Sequence, residues 1–264
     1  MLAALIGIPL AFLALLAIFR VLELTRPKEK RLPIRRPGFA TDLAYWGFTA
    51  LATRNVTRIV VIAFLVPVAL LAYGRLDGPT IANGFGPASR LPLAVQAVLI
   101  LVIGDFLGYW GHRLFHRGPF WPFHAVHHSS APLDWLGAVR THPVNDAFMR
   151  VLTTLPVIGL GFAPKAVAGI VPVLTFMAIL LHANLDWDWG PLRPVFASPR
   201  FHRWHHTSEA EGRDKNFAGL LPLWDILFGT YYMPRDRVPS AFGTDTPVPP
   251  GLIGQLMFPF KRPR

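Results

Sequence analysis

"WGHRLFHRGPFWPFHAVHHSS", residues 110–130, holds five of the chain's ten histidines, at positions 112, 116, 124, 127 and 128. It follows directly on an apolar run, residues 91–111, that is long enough to span a bilayer. Half of the histidines therefore sit where a membrane helix ends, and their spacing says why. On a helix, positions i, i+3 and i+4 share a face. His112 and His116 form HxxxH, and His124, His127 and His128 form HxxHH. A second HxxHH follows in "FHRWHHT", with His202, His205 and His206. Each cluster is expected to point its imidazoles into one volume.

Buried imidazoles without partners are costly, and histidine is the commonest metal ligand. Three clusters at helical spacing are therefore read as metal ligands. Eight imidazoles exceed what one first-row ion takes, so two ions are the natural count. No HExxH is present, which removes the metalloprotease pattern, and Glu209 and Glu211 lack helical register with a suitable histidine pair. An all-imidazole set leaves the ions' charge uncompensated and favours anionic oxygen species. That suits iron with dioxygen, although imidazole also suits zinc and copper.

Other residues support this centre. Asp105, Tyr109, His112 and His116 fall at spacings of 4, 3 and 4 on one helix face. An acid inside an apolar run is expensive and usually functional. Asp105 is expected to accept the free N–H of a histidine ligand and so fix its tautomer. Asp225 in "LWDILFGT" is a similar candidate. His182 ends the last apolar helix, in "LHANLDWDWG", and is read as a further ligand, with Asn184 and Asp186 close by for a ligand or outer position. His142, in "RTHPVND", matches no cluster and stands apart as a further candidate ligand.

The rest of the chain sets the class. Of its 264 residues, 52% are hydrophobic and 16% charged, which points to a membrane protein. The formal charge of +11 suits anionic headgroups better than nucleic acid, because the basic residues form no single stripe and no recognition motif is visible. There is no cysteine, so disulfides, thiolate metal sites, iron–sulfur clusters and thiol catalysis are excluded.

Residues 2–19 are uncharged and just long enough to span; the missing basic n-region and cleavage site argue against a signal peptide. Arg26, Lys28, Lys30, Arg31, Arg35 and Arg36 follow, and this loop is placed in the cytoplasm by the positive-inside rule. Residues 41–73 are too long for one straight span and are expected to start interfacially or with a kink. Residues 74–90 read as a loop. Residues 147–181 split near "GLGFAPK" (159–165) into two near-spanning helices. The expected fold is an all-α membrane bundle of about four to five spanning or near-spanning helices under a cytoplasmic, histidine-rich cap. Its expected parts are 1–90 (membrane helices and basic loop), 91–235 (catalytic) and 236–264 (Pro/Arg-rich tail). This topology delivers His112 and His182 to the same membrane face.

With "DFLGYWGHRLFH", "HAVHHSS", "HAN", "SPRFHRWHH" and "WDILFGTYY" in that order, the chain resembles the fatty acid hydroxylase/sterol desaturase superfamily of membrane di-iron enzymes over roughly residues 91–235. The resemblance implies two metal ions held by the boxes and His182. It also implies oxygen-dependent hydroxylation, desaturation or ether cleavage of a lipid, with electrons supplied from outside. Some relatives carry a further histidine soon after the position of His182; here the region offers Asn184 and Asp186. No fused cytochrome b5 domain or dinucleotide fingerprint is visible, so a ferredoxin, a cytochrome b5-like protein or a reductase is the expected donor. Arg200, Arg203, Arg213 and Lys215 offer it a basic face, and lipid headgroups are an equal use for that face. Trp121, Phe123, Trp135, Trp187 and Trp204 are expected either to line a lipid tunnel or to anchor the interface.

The leading reading is thus a di-iron lipid monooxygenase acting on a C–H bond of a fatty acyl, sterol, ether lipid or carotenoid. A zinc hydrolase is disfavoured by the lack of a carboxylate base beside a histidine pair. A haem protein leaves the adjacent pairs His127–His128 and His205–His206 unexplained. A metal transporter would place its ligands near the bilayer midplane rather than beyond helix ends.

Overall fold

The computed structural model describes residues 2–25, 32–33, 35–74, 83–84 and 86–261. The basic positions 26, 28, 30 and 31, and part of the loop 74–90, lie outside the described residues. The regular structure is helical. Among the described residues the β pairing is one isolated bridge, Thr207 with Phe242.

Among the described residues ten α-helices follow in order: α1 (Leu2–Thr25), α2 (Phe39–Phe48), α3 (Arg54–Tyr73), α4 (Leu93–Phe115), α5 (Trp121–His128), α6 (Pro143–Gly159), α7 (Pro164–His182), α8 (Pro199–His205), α9 (Leu223–Leu227) and α10 (Leu252–Met257). The expected kink in 41–73 is a π-turn, Thr49–Thr53, joining α2 to α3. The expected split of 147–181 falls at Leu160–Ala163. Proline opens α6, α7 and α8, where its missing N–H is not needed. The His142 ring accepts from Val144 N–H and Ser198 Oγ accepts from Phe201 N–H, capping α6 and α8.

Among the described residues two helices, α4 and α7, are long and apolar enough to cross a membrane. They pack against each other, and α6 fills the space between α4 and α3. Gly111 lets α4 and α6 approach closely: a Cβ there would lie 2.7 Å from Leu152 Cδ2 and Met149 Sδ. On α1, the residues Phe12, Leu15, Leu16, Phe19 and Leu22 pack with Trp46, Trp135, Leu136, Ile179 and Leu180. Leu13, Ile59, Leu71, Val98 and Val173 face outward. Exposed apolar surface on this scale marks a membrane or partner contact.

Below the helices, the segments 116–142 and 183–261 form the cap. A buried ion-pair group braces it. Asp42 lies 2.7 Å from Arg36 Nη1 and 2.6 Å from Arg140, and Arg36 also binds Asp134.

Candidate metal centre

Four elements deliver nine imidazoles to one place. α4 carries His112 and is capped by His116. α5 carries His124, His127 and His128; α7 ends on His182. α8 carries His202 and His205 and is capped by His206. The nitrogens gather into two groups. His112, His116, His124, His128 and His205 form one; His127, His182, His202 and His206 form the other. Within each group the available nitrogens lie within 4.8 Å of one another.

The grouping corrects the expectation that each box serves one volume. Both HxxHH boxes are split. His124 and His128, at i and i+4, join the first group while His127 crosses to the second; His202 and His206 join the second while His205 crosses to the first. The reason is the helical pitch: i and i+4 align better than i and i+3, and adjacent residues point about 100° apart. Two ion-sized volumes side by side exploit that divergence.

Main-chain and side-chain oxygens set the ring orientations. The Nδ1–H of His112 donates to Phe217 C=O (2.7 Å), that of His127 to Arg140 C=O (3.1 Å) and that of His205 to Lys215 C=O (2.8 Å). His182 donates to Ala178 C=O one turn back (2.7 Å), His124 to Asn145 Oδ1 (2.7 Å) and His116 to Asp214 Oδ1 (3.0 Å). Each of these rings then presents an unprotonated Nε2 inward.

These inward nitrogens confront one another. His112 Nε2 and His124 Nε2 are 3.0 Å apart, and His127 Nε2 and His182 Nε2 are 3.1 Å apart. With both Nδ1 atoms protonated, neither pair has a proton to share, so lone pair faces lone pair. A cation between them removes the conflict. Nitrogens at this spacing fit ligation of one ion at about 2.1 Å with near-right angles. His116 Nε2, His202 Nδ1 and His206 Nδ1 are buried without a hydrogen-bond partner among the described residues. Burial, and then the neighbouring rings, hold His124, His128, His202, His205 and His206 well below the usual histidine range, so they are neutral donors. The donor set fits metal ions.

Other predicted residues lie elsewhere. Asp105 does not take a histidine N–H: it accepts from Leu221 N–H (2.8 Å) and Trp224 Nε1–H (3.1 Å). The α4 face carrying Asp105, Tyr109 and His112 instead docks segment 217–230, with Tyr109 bonded to Thr230. Asp225 likewise misses the imidazoles. It accepts from Phe217 N–H, Ala218 N–H and Thr230 Oγ1–H, and so fixes the segment whose Phe217 carbonyl holds His112. His142 caps α6 and its Nε2–H meets Leu256 C=O, outside both groups. Asp186 pairs with Arg200, and Asn184 is buried with its main-chain N–H on Glu23. Trp121 packs its ring on His116, His124 and His128, whereas Trp135 stacks on Phe19 in the helical core. Asn145, Asp214 and the Arg140 carbonyl were not visible in the sequence, because nothing in their local pattern marks them as histidine partners.

The profile of the fatty acid hydroxylase family matches residues 97–230, the stretch that carries every residue of both groups. The ornithine lipid hydroxylase of Rhizobium tropici is 32% identical over 254 residues, covering 95% of this chain and 75% of that protein. The alkylglycerol monooxygenase of Caenorhabditis elegans is 30% identical over 56% of this chain and 29% of its own length. Methylsterol monooxygenase 1-2 of Arabidopsis thaliana is 25% identical over 62% of this chain and 56% of its own length. No solved structure matches the chain. With its boxes in order, its two imidazole groups and a relative aligned over nearly its whole length, this chain belongs to the fatty acid hydroxylase family.

Proposed function

We propose that the chain is a multi-pass membrane di-iron monooxygenase that hydroxylates a C–H bond of a membrane lipid with dioxygen. That it is an oxygen-dependent oxidoreductase follows from its family and its monooxygenase relatives. The observation that carries the finer reading is the pair of all-histidine groups whose inward nitrogens face each other without protons.

His112, His116, His124, His128 and His205 would hold one iron, and His127, His182, His202 and His206 the other. When bound, the irons supply dioxygen activation; hydroxylation consumes two electrons and two protons and releases one water. The chain's own share is to hold nine neutral rings in fixed tautomers and to keep solvent from the centre, since seven of them are buried and the other two half-buried. Electrons come from a separate ferredoxin, cytochrome b5-like protein or reductase.

The centre is placed at the cytoplasmic membrane face, with residues 1–90 as membrane helices and loop, 91–235 as the catalytic unit and 236–264 as the tail. Ornithine lipid is the first substrate to offer, because the relative named for it aligns with 95% of this chain; acyl, sterol, ether lipid and carotenoid substrates follow. A zinc hydrolase is the weaker reading, since neither group contains a carboxylate. Metal analysis with absorption spectroscopy tests the proposal: two irons per chain without a haem band are expected. Zinc alone in iron-supplied preparations, with no oxygen consumption on any of these lipids, would overturn it.

A further inference from the structure

Away from the histidines, Arg193, Arg235 and Tyr231 border a cavity of about 340 Å³, with Gly190 and Met233 in its wall. Arg193 is largely buried. Its Nη2 donates to Met233 C=O at 3.1 Å, while its Nε is buried without a hydrogen-bond partner among the described residues. The Tyr231 hydroxyl at the same rim donates to Met233 Sδ at 3.6 Å, and burial pushes it up with Arg193 pulling the other way, so it is neutral and its oxygen can also accept. Charge is left over. Arg200 pairs with Asp186 (2.8 Å) and Asp188 (3.1 Å), and Arg193 lies 4.0 Å from Asp188. Two arginines balance two carboxylates, and the exposed Arg235 has no carboxylate partner among the described residues.

The cavity sits beside apolar surface. Leu192, Val195 and Phe196 are exposed next to Arg193. Ala197 N–H donates to Leu220 C=O at 2.7 Å, which joins this ridge to the exposed Leu223, Ile226 and Leu227 of α9. Trp224 and Phe228 pack on Phe106 and Trp110, in the last turns of the candidate span α4. Apolar residues beside a span's end, edged by arginine, match a bilayer interface.

We propose that Arg193, Arg235 and Tyr231 hold the anionic headgroup of a bilayer lipid, its phosphate or carboxylate, with the acyl chains lying along Leu192, Val195 and Phe196. A guanidinium fork suits either anion. The cavity is at the small end of ligand sites, about 300–1,000 Å³, which accommodates a headgroup and leaves the chains outside. No histidine lines it, so the cavity is separate from the two imidazole groups. The inference rests on the membrane placement proposed above and not on the oxidation chemistry.

Native mass spectrometry of the full chain in neutral detergent tests this, with phosphatidylglycerol, the matching diacylglycerol and inorganic phosphate as probes. Phosphatidylglycerol is expected to bind ~10-fold or more tighter than diacylglycerol, and the double variant R193Q/R235Q to lose that margin. The double variant K165Q/K261Q, which removes the same two charges at exposed positions outside the cavity, leaves it intact. Unchanged phosphatidylglycerol affinity in the double variant overturns the site. Binding of inorganic phosphate as tight as that of the lipid reassigns the pocket to a free anion and also overturns it. Membrane flotation of the wild-type chain separates the two readings. A chain that does not float overturns the membrane placement and this site together, whereas a floating chain with unchanged affinity overturns the site alone.

Discussion

His127 and His182 face each other with their Nε2 atoms 3.1 Å apart, each ring held from behind by a carbonyl, Arg140 for one and Ala178 for the other. The contact ties α5 to the end of α7 and leaves neither nitrogen a proton to offer. Its stability depends on what lies between the rings. For that reason His127→Ala is expected to lower the iron content from two toward about one per chain and to abolish oxygen-dependent product. Membrane insertion should be unaffected. Elemental analysis of the purified variant checks this; full metal content with full activity would remove His127 from the ligand set.

Asn145 orients His124 from α6, through one 2.7 Å hydrogen bond. Removing such an outer partner costs about 10–100-fold in metal affinity. Asn145→Ala should therefore load less iron and release it faster to a chelator, while Asn145→Asp, which keeps an acceptor oxygen, should retain most of it. Equal chelation rates in the wild type and Asn145→Ala would show that the amide does not position the ring.

Asp42 is fully buried between Arg36 and Arg140. Taking one partner from a buried ionic group leaves uncompensated charge and costs about 3–5 kcal/mol. Asp42→Ala should lower the unfolding midpoint in detergent sharply. Because the Arg140 carbonyl holds His127, it should also loosen the second imidazole group first. A midpoint shift without loss of metal would uncouple the brace from the centre.

Asp225 holds two main-chain N–H groups and the Thr230 hydroxyl at one buried carboxylate. Asp225→Ala leaves those donors unsatisfied, at about 1–3 kcal/mol each. Segment 215–218 should lose its register, and with it the carbonyls behind His112 and His205. Hydrogen exchange of the Phe217 and Ala218 amides should quicken, and unchanged protection there would count against the assignment.

Chelating the ions should destabilise the whole cap, because the rings then confront one another unshielded. A ligand held at about 1,000 times its Kd stabilises by about 4 kcal/mol, so a fall on the order of 5–15 °C in Tm is expected. A Tm indifferent to chelation would mean that the fold does not use the ions.

Much of this was legible in the sequence because it is periodic. Apolar runs announced α1, α4 and the α6–α7 pair, and i, i+3, i+4 spacing announced the boxes. Less was legible where a residue's partner is distant in the chain. The spacing of Asp105 on α4 marked it as useful, but its partners lie at 221 and 224, and its N–H donors belong to the main chain and an indole. His142 shares its residue type with the ligands and not their task, since a proline after it makes it a helix cap. Nor does spacing show which ring of HxxHH crosses over; that depends on how α4, α5, α7 and α8 meet in the fold.

The crossing rings of the two boxes tie the two groups to the same pair of helices. Each HxxHH segment feeds both ion positions, so neither position is built from whole boxes. On the proposed two-ion reading, an ion in either group would take rings from both α5 and α8, so loading either one would link those two helices. A chain that gave up one HxxHH box would lose nitrogens from both groups at once, so neither group would stay whole.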